Sequence, residues 1–444
     1  MPMKKKFLSI LLAGCLLFTG CSNEGGDAET TTDENKYVTV TDEEGNPVTD
    51  ENGEVITSIE GALPEEKELK VGFIYPERAG GDALSDVFEA ARLEAMRVLG
   101  AKTYCVENVL VSQVEAATAV LVQEGCNVIV GASAKFANAI HDEAKANKKV
   151  YFISFGGTDG LGNLACYQGE MYRGSYLCGI TAAFNTESNI LGVVADRSVL
   201  NVYNVIDGFV MGAKEISESN TDVRVNWAWG QNDSDVMNAI NDLKDQGCDV
   251  IFTANYSKFA VKYCESLGIK VIGMASDTPE LAPEHYLTGC YYNLSLFLVD
   301  MLRSVRYDST SSVIYQGGIN EGTIRMVELG GACYEGTDKI FDASFQLSGD
   351  GKISVFKNET RDTNKSIRID KGVTLTANQI MVVDWLEESV RAENDFGTPN
   401  LNPVESDLTV YPGQIEGNED GGEGSVDDTA ATADTADTEP ALTA

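Results

Sequence analysis

Residues 69–76 read LKVGFIYP, and residues 85–100 read SDVFEAARLEAMRVLG. The first stretch is apolar at successive positions, so a strand built from it needs cover on both faces. The second carries apolar residues at helical spacing, opens on Ser85 as an N-cap and stops at Gly100. The pair then repeats as TYCVEN (103–108), SQVEAATAVLVQEG (112–125), NVIVGAS (127–133), KFANAIHDEAKAN (135–147) and VYFISFGG (150–157). Buried strands joined by helices predict a parallel, doubly wound α/β sheet.

The cycle restarts at ILGVVAD (190–196) and runs through VRVNWAWG (223–230), DVIFTAN (249–255) and KVIGMAS (270–276), with helical segments between. Two successive α/β units predict two lobes facing a cleft. The expected first lobe is 67–186, completed by about 285–312, and the second is 187–284, completed by about 313–350. A C-terminal segment, 351–412, is expected to pack on this body.

The ends have a different character. Residues 4–23 read KKKFLSILLAGCLLFTGCSN, with three lysines ahead of an apolar run too short to span a bilayer. Small residues then precede Cys21, which resembles a bacterial lipoprotein signal over 1–20 with Cys21 as the lipidated mature end. Cys15 in LAGC (12–15) is the competing tetrad, but cleavage there leaves Leu-Leu-Phe on the mature end. The reading places the protein on the extracytoplasmic face of the cell membrane, held by its N-terminal lipid. Residues 22–68 carry fifteen acids against two lysines, including the repeat TDEEGNPV (41–48) and TDENGEVI (49–56), units that could pair as a hairpin. The tail carries nine acids and no base over 416–444. Such composition predicts a disordered tether at 21–66 and a disordered tail at 413–444. A chain of formal charge −36 is a poor partner for nucleic acid.

The residues for catalysis are scarce. There are two histidines, His141 and His285, and no GxSxG, HExxH or P-loop sequence accompanies them. The glycine-rich FGGTDGLGN (155–163) does not open a helix, so it reads as a lobe-edge loop and not as a dinucleotide fingerprint. Eight cysteines lie beyond the signal without CxxC spacing, mostly in apolar segments, and read as small core residues. The expectation is a protein that is not an enzyme and needs neither metal nor cofactor.

Open α/β sheets bind ligands at the C-terminal ends of their strands. Those positions collect Arg78 after the first strand and Phe136 after the third. In the second unit they collect Trp227, Trp229, Asn255 and Asp277. Aromatic rings stack and carboxylates accept hydroxyl protons, which suits a small polar ligand with a planar ring or a sugar. Each aromatic also has a plain reading as a core residue, and Asp277 has one as a helix N-cap.

At these residues the chain resembles the basic membrane protein (Bmp) family of lipoproteins. The matching segments are KVGFIYP, ENV before a helix, VIVGASAKFANAI, YQGEMYRGSYLCGITAAF, VIGMASDTPELAPEHYLTGCYYN, YQGGINEGTIRMVELG and ISVFKNETRD, across roughly 69–391. The resemblance implies a type I periplasmic-binding-protein fold with three crossovers between lobes. It also implies a solute-binding protein, acting as a monomer, that delivers purine nucleosides to an ABC transporter permease. It adds Ser85 and Asp86 to the site, in the loop GGDALSD (80–86), where Leu84 and Ser85 stand in place of an aromatic and an amide. Phe136 matches a family aromatic, Trp229 approximates another, and Asp277 keeps the second of two aspartates while Ala275 replaces the first. A ligand-binding module of a membrane sensor, or a binder of a sugar or flavin, are the alternatives.

Overall fold

The computed structural model describes residues 67–393, apart from 198, 218–220, 229–231 and 350–353, with three short strands at 37–39, 57–59 and 410–412. The chain divides into two compact units, 1–65 and 66–444. In the first, Tyr37–Thr39 pairs antiparallel with Thr57–Ile59, Tyr37 opposite Ile59. The acidic repeat between these strands, the signal with Cys21, and the tail after 412 lie outside the described residues, as does the rest of the expected tether.

The second unit is built on two seven-stranded sheets. The first runs Val313–Gly317, Leu164–Gly169, Tyr151–Phe155, Val128–Gly131, Lys70–Ile74, Lys102–Val106 and Val410–Pro412. Only the last is antiparallel to its neighbour. The second runs Ile324–Val327, Tyr286–Tyr292, Lys270–Gly273, Val250–Ala254, Ile190–Ala195, Asp222–Trp227 and Val390–Glu393. Here only Ile324–Val327 is antiparallel. Within the Lys70–Ile74 strand, Val71 and Phe73 enter one hydrophobic cluster and Ile74 another, so burial on both faces accounts for its unbroken apolar run.

The chain passes between sheets three times before residue 327, as a type I binding-protein fold requires, and a fourth passage joins Val390–Glu393 to Val410–Pro412. Two boundaries differ from the sequence reading. Tyr286–Tyr292, assigned to the first lobe, hydrogen-bonds in the second sheet, and Val313–Gly317, assigned to the second, hydrogen-bonds in the first. The composition of both strands suits either sheet, so tertiary pairing and not hydropathy decides their place.

Helix Ala83–Leu99 starts one turn earlier than Ser85 suggests. Its N-cap is Asp82, whose Oδ1 accepts from the Ser85 amide at 2.7 Å while Ser85 Oγ accepts from the Asp82 amide at 3.0 Å. This reciprocal pair satisfies two of the helix's free donors. Helix Met171–Asn185, which carries the chain toward the second lobe, is apolar all round and almost wholly buried, the mark of an internal helix. It packs backbone to backbone on helix Val202–Ser217: a Cβ on Gly179 would lie 1.9 Å from the Phe209 carbonyl oxygen, and one on Gly212 1.9 Å from that of Tyr176. Only glycine fits there.

The C-terminal segment caps this helix pair. Val355, Phe356, Ile369, Ile380 and Val383 pack on Tyr172, Tyr176, Leu177 and Ile180. Asp207, fully buried, accepts from the Glu387 amide at 2.8 Å, and Glu387 in turn accepts from Lys214 at 2.6 Å. Burial pushes the Asp207 carboxyl well above the usual range. All eight cysteines from 105 to 333 are free thiols and seven are buried. Among the described residues no helix is long and apolar enough to cross a membrane.

Candidate functional site

The C-terminal ends of both sheets face each other across the cleft, and the lobes touch there directly. Strand Val250–Ala254 ends in Asn255, Tyr256 and Ser257. Tyr256 has φ +57°, a left-handed conformation that a non-glycine residue adopts at a cost and that recurs at functional sites. Its carbonyl accepts from the Ala83 amide of the first lobe at 3.2 Å. Asn255 Oδ1 accepts from the Ser257 amide at 3.3 Å, and Ser257 Oγ caps the next helix at the Ala260 amide, 3.1 Å away. Nearer the hinge, Asn201 of the second lobe donates to Gln168 of the first at 3.0 Å. The glycine loop admits this approach: Gly156, at φ +92°, would place a Cβ 3.0 Å from Leu200.

Between the lobes lies a recess of about 140 Å³, lined by Glu77 and Asp82 from the first and by Asp233, Asn255, Tyr256 and Lys258 from the second. Pockets for small organic ligands typically hold about 300–1,000 Å³, so a ligand enters only when the lobes part. A larger cavity, about 330 Å³, sits beside Lys67, Asn127 and Lys148 at the opposite ends of the first sheet's strands, away from this chemistry.

Lys258 is the centre of charge in the recess. Its Nζ lies 2.9 Å from Asp277 Oδ2 and also bonds Asp86, which belongs to the first lobe. Burial lowers the lysine's pKa, but the bonds to Asp86 and Asp277 outweigh it and hold the ammonium above its usual range. Asp277 occupies the N-cap position of the short helix Thr278–Leu281, yet its side chain makes no capping bond. Its Oδ1 is buried and has no hydrogen-bond partner. A buried acceptor left open is costly unless something fills it. Loss of solvent around Glu77, with the charge of Asp82, pushes the Glu77 carboxyl up.

A second cluster stands at the end of strand Ile190–Ala195. The Arg197 guanidinium lies 4.7 Å from the ring centroid of Trp227 and 5.6 Å from that of Tyr203, whose hydroxyl accepts from it. Trp227 is buried and one of its faces is covered by this cation.

The structure brings Asp86 and Asp277 together on Lys258, which lines the recess with Asn255, and leaves Trp227 buried under Arg197. It does not bring Phe136. The turn Ala134–Phe136 swings that ring into the core beside Ile74, Ile140 and Phe152, so Phe136 packs the first lobe and offers no stacking face. Ser85 is also corrected: it is 3% exposed and spent on the capping box. Arg78 is exposed on the rim, its carbonyl accepting from the Gly81 amide at 2.9 Å, and Trp229 lies outside the described residues. Sequence reasoning missed Lys258. One signal was there: a lysine at the first position of a helix opposes the helix dipole, a local inconsistency that often marks a site.

His141 and His285 stand apart from the recess, on Asp159 at 3.3 Å and Glu265 at 3.1 Å. Glu265, Glu284 and His285 could together hold a metal ion, at the N-terminal end of strand Tyr286–Tyr292 and away from the cleft.

The family model described as "ABC transporter substrate-binding protein PnrA-like" (Bmp) matches residues 69–358. The chain is 29% identical over 272 residues to a purine-binding protein of Brucella abortus, covering 60% of this chain and 77% of that one. It is 28% identical over 170 residues to a putative ABC transporter glucose-binding protein of Haloferax volcanii, covering 38% of this chain and 43% of that one. Among solved structures, an ABC transporter solute-binding protein from Conexibacter woesei superposes with a TM-score of 0.53 at 15% identity, covering 64% and 97% of the two chains. One from Aeropyrum pernix gives 0.55 at 15% identity, covering 64% and 92%. At this identity the structures speak for the fold alone.

Proposed function

Because the chain belongs to the Bmp family of PnrA-like ABC transporter substrate-binding proteins, we propose that it captures a purine nucleoside between its lobes and hands it to an ABC permease. The relative named for purine binding, aligned over most of its length, supports the class of ligand. The observation that carries the reading is the open acceptor on Asp277, whose other carboxylate oxygen holds Lys258 at the wall of a recess that Glu77, Asp82 and Asp233 also line. Carboxylates accept strongly from the hydroxyls of a ribose and repel a phosphate. The binding mechanism is hinge closure, with no bond made or broken. Asn255, which lines the recess, is the group that contacts the base in this reading.

Calorimetric titration with guanosine, inosine, adenosine, the free bases, the nucleoside 5′-monophosphates and glucose tests it. A nucleoside should bind, and its monophosphate should bind at least about a hundredfold more weakly, since like-charge juxtaposition costs several kcal/mol. Glucose binding with no purine binding would leave only the binding-protein fold standing.

The N-terminal sequence supports a lipid anchor at Cys21, which would hold the site close to its permease. Cys21→Ser should release the protein from membranes or leave the precursor uncut. Continued lipidation of that variant, with loss in Cys15→Ser, would move the anchor to Cys15.

A further inference from the structure

The first turn of helix Ala83–Leu99 touches the second lobe twice. The Ala83 amide donates to the Tyr256 carbonyl, and Asp86 bonds Lys258 one turn away in space. Lys258 heads its own helix, where the dipole disfavours a cation, so its position is held by the two carboxylates it bridges and not by local preference. Its side chain is 25% exposed, against 35% for Asp86 and 28% for Asp277, so solvent screens the triad only in part. One of its partners, Asp277, also carries the open buried oxygen. A donor on a ligand and the ammonium of Lys258 therefore share a single carboxylate.

We propose that Lys258 is a positioning residue that converts engagement of Asp277 into retention of the closed lobes. A ligand donor seated on Oδ1 fixes the Asp277 carboxylate, which fixes Lys258, which ties Asp86 of the opposite lobe. Without the lysine, Asp86 of one lobe and Asp277 of the other lose the cation they share, beside a recess lined by Asp82 and Asp233, and like charges push the lobes apart. The ligand class rests on the reading above, but the latch itself does not.

Small-angle scattering of the unliganded protein separates the two. Wild type should be compact, Lys258→Met and Asp86→Asn should both be larger, the double variant should be no larger than either single, and Lys258→Arg should restore compaction. Stopped-flow with guanosine as the probe should show Lys258→Met releasing it about tenfold faster, with association changed by less than about twofold, as for a severed charge pair. Equal scattering radii for wild type and Lys258→Met, whether compact or extended, would overturn the proposal. So would release from Lys258→Met at the wild-type rate. If guanosine binds neither protein, the purine reading falls while scattering still decides the latch. Circular dichroism melts of Asp86→Asn and Lys258→Met confirm that both are folded, and Lys258→Arg supplies the rescue that a merely structural role would not need.

Discussion

Gly212→Ala is expected to destabilise the body by about 3 kcal/mol or more, visible as a lower urea midpoint and a melting temperature reduced by several degrees. The new Cβ would sit 1.9 Å from the Tyr176 carbonyl oxygen and 2.8 Å from its carbon, so helix Val202–Ser217 must retreat from helix Met171–Asn185. Helix propensity acts in the opposite sense, since alanine is favoured over glycine by about 1 kcal/mol in a helix interior. Overpacking against backbone wins because neither helix has a flexible side chain at the contact to yield. Gly162→Ala, with nothing within 4 Å of its Cβ, is the control and should change stability by less than about 0.5 kcal/mol. Melting of Gly212→Ala within a degree of wild type would mean that the helices are not in backbone contact in solution.

Asp277→Ala should weaken binding of the best purine ligand about tenfold to a hundredfold by calorimetry. A hydrogen bond to a charged group contributes about 1.5–3 kcal/mol, and each 1.4 kcal/mol is tenfold in affinity. Removal also takes one carboxylate from Lys258, which leaves the cation on Asp86 alone. The variant should stay folded, because the side chain caps nothing in helix Thr278–Leu281. Unchanged affinity would place Asp277 outside the site.

The parallel strands were legible because burial on both faces writes itself as consecutive apolar residues, as in Lys70–Ile74 and Val250–Ala254. The lobes and the cleft followed from the repetition. What failed was whatever depends on a turn or on tertiary pairing. Phe136 follows a strand as a ligand aromatic would, but one turn of tight helix sends it inward. Ser85 is a cap residue by type, and only the Asp82 backbone conformation shows that it serves from the third helical position. Lys258 carries no periodic signal for its role, since Asp86 is 172 residues away and the two meet only when the lobes do. Tyr286–Tyr292 and Val313–Gly317 exchanged lobes for the same reason: the sheet a strand joins is chosen by tertiary pairing, which places the first between two neighbours and the second at an edge.

The buried thiols make the body its own stability map. Cys105, Cys126 and Cys166 sit in the first lobe, and Cys178, Cys248, Cys264 and Cys290 in the second. Burial raises Cys105, Cys126, Cys248 and Cys264 to about 12 and Cys166 to about 11, so in the folded state each is both shielded and almost wholly protonated. A thiol reagent can then modify each only when its surroundings open, and the rate at every cysteine reports the free energy of that local opening. Cys333, the one partly exposed thiol among the described residues, sets the fast end of the scale. Without introducing a label, ligand-dependent protection at these sites would show which lobe stiffens on closure and which merely follows.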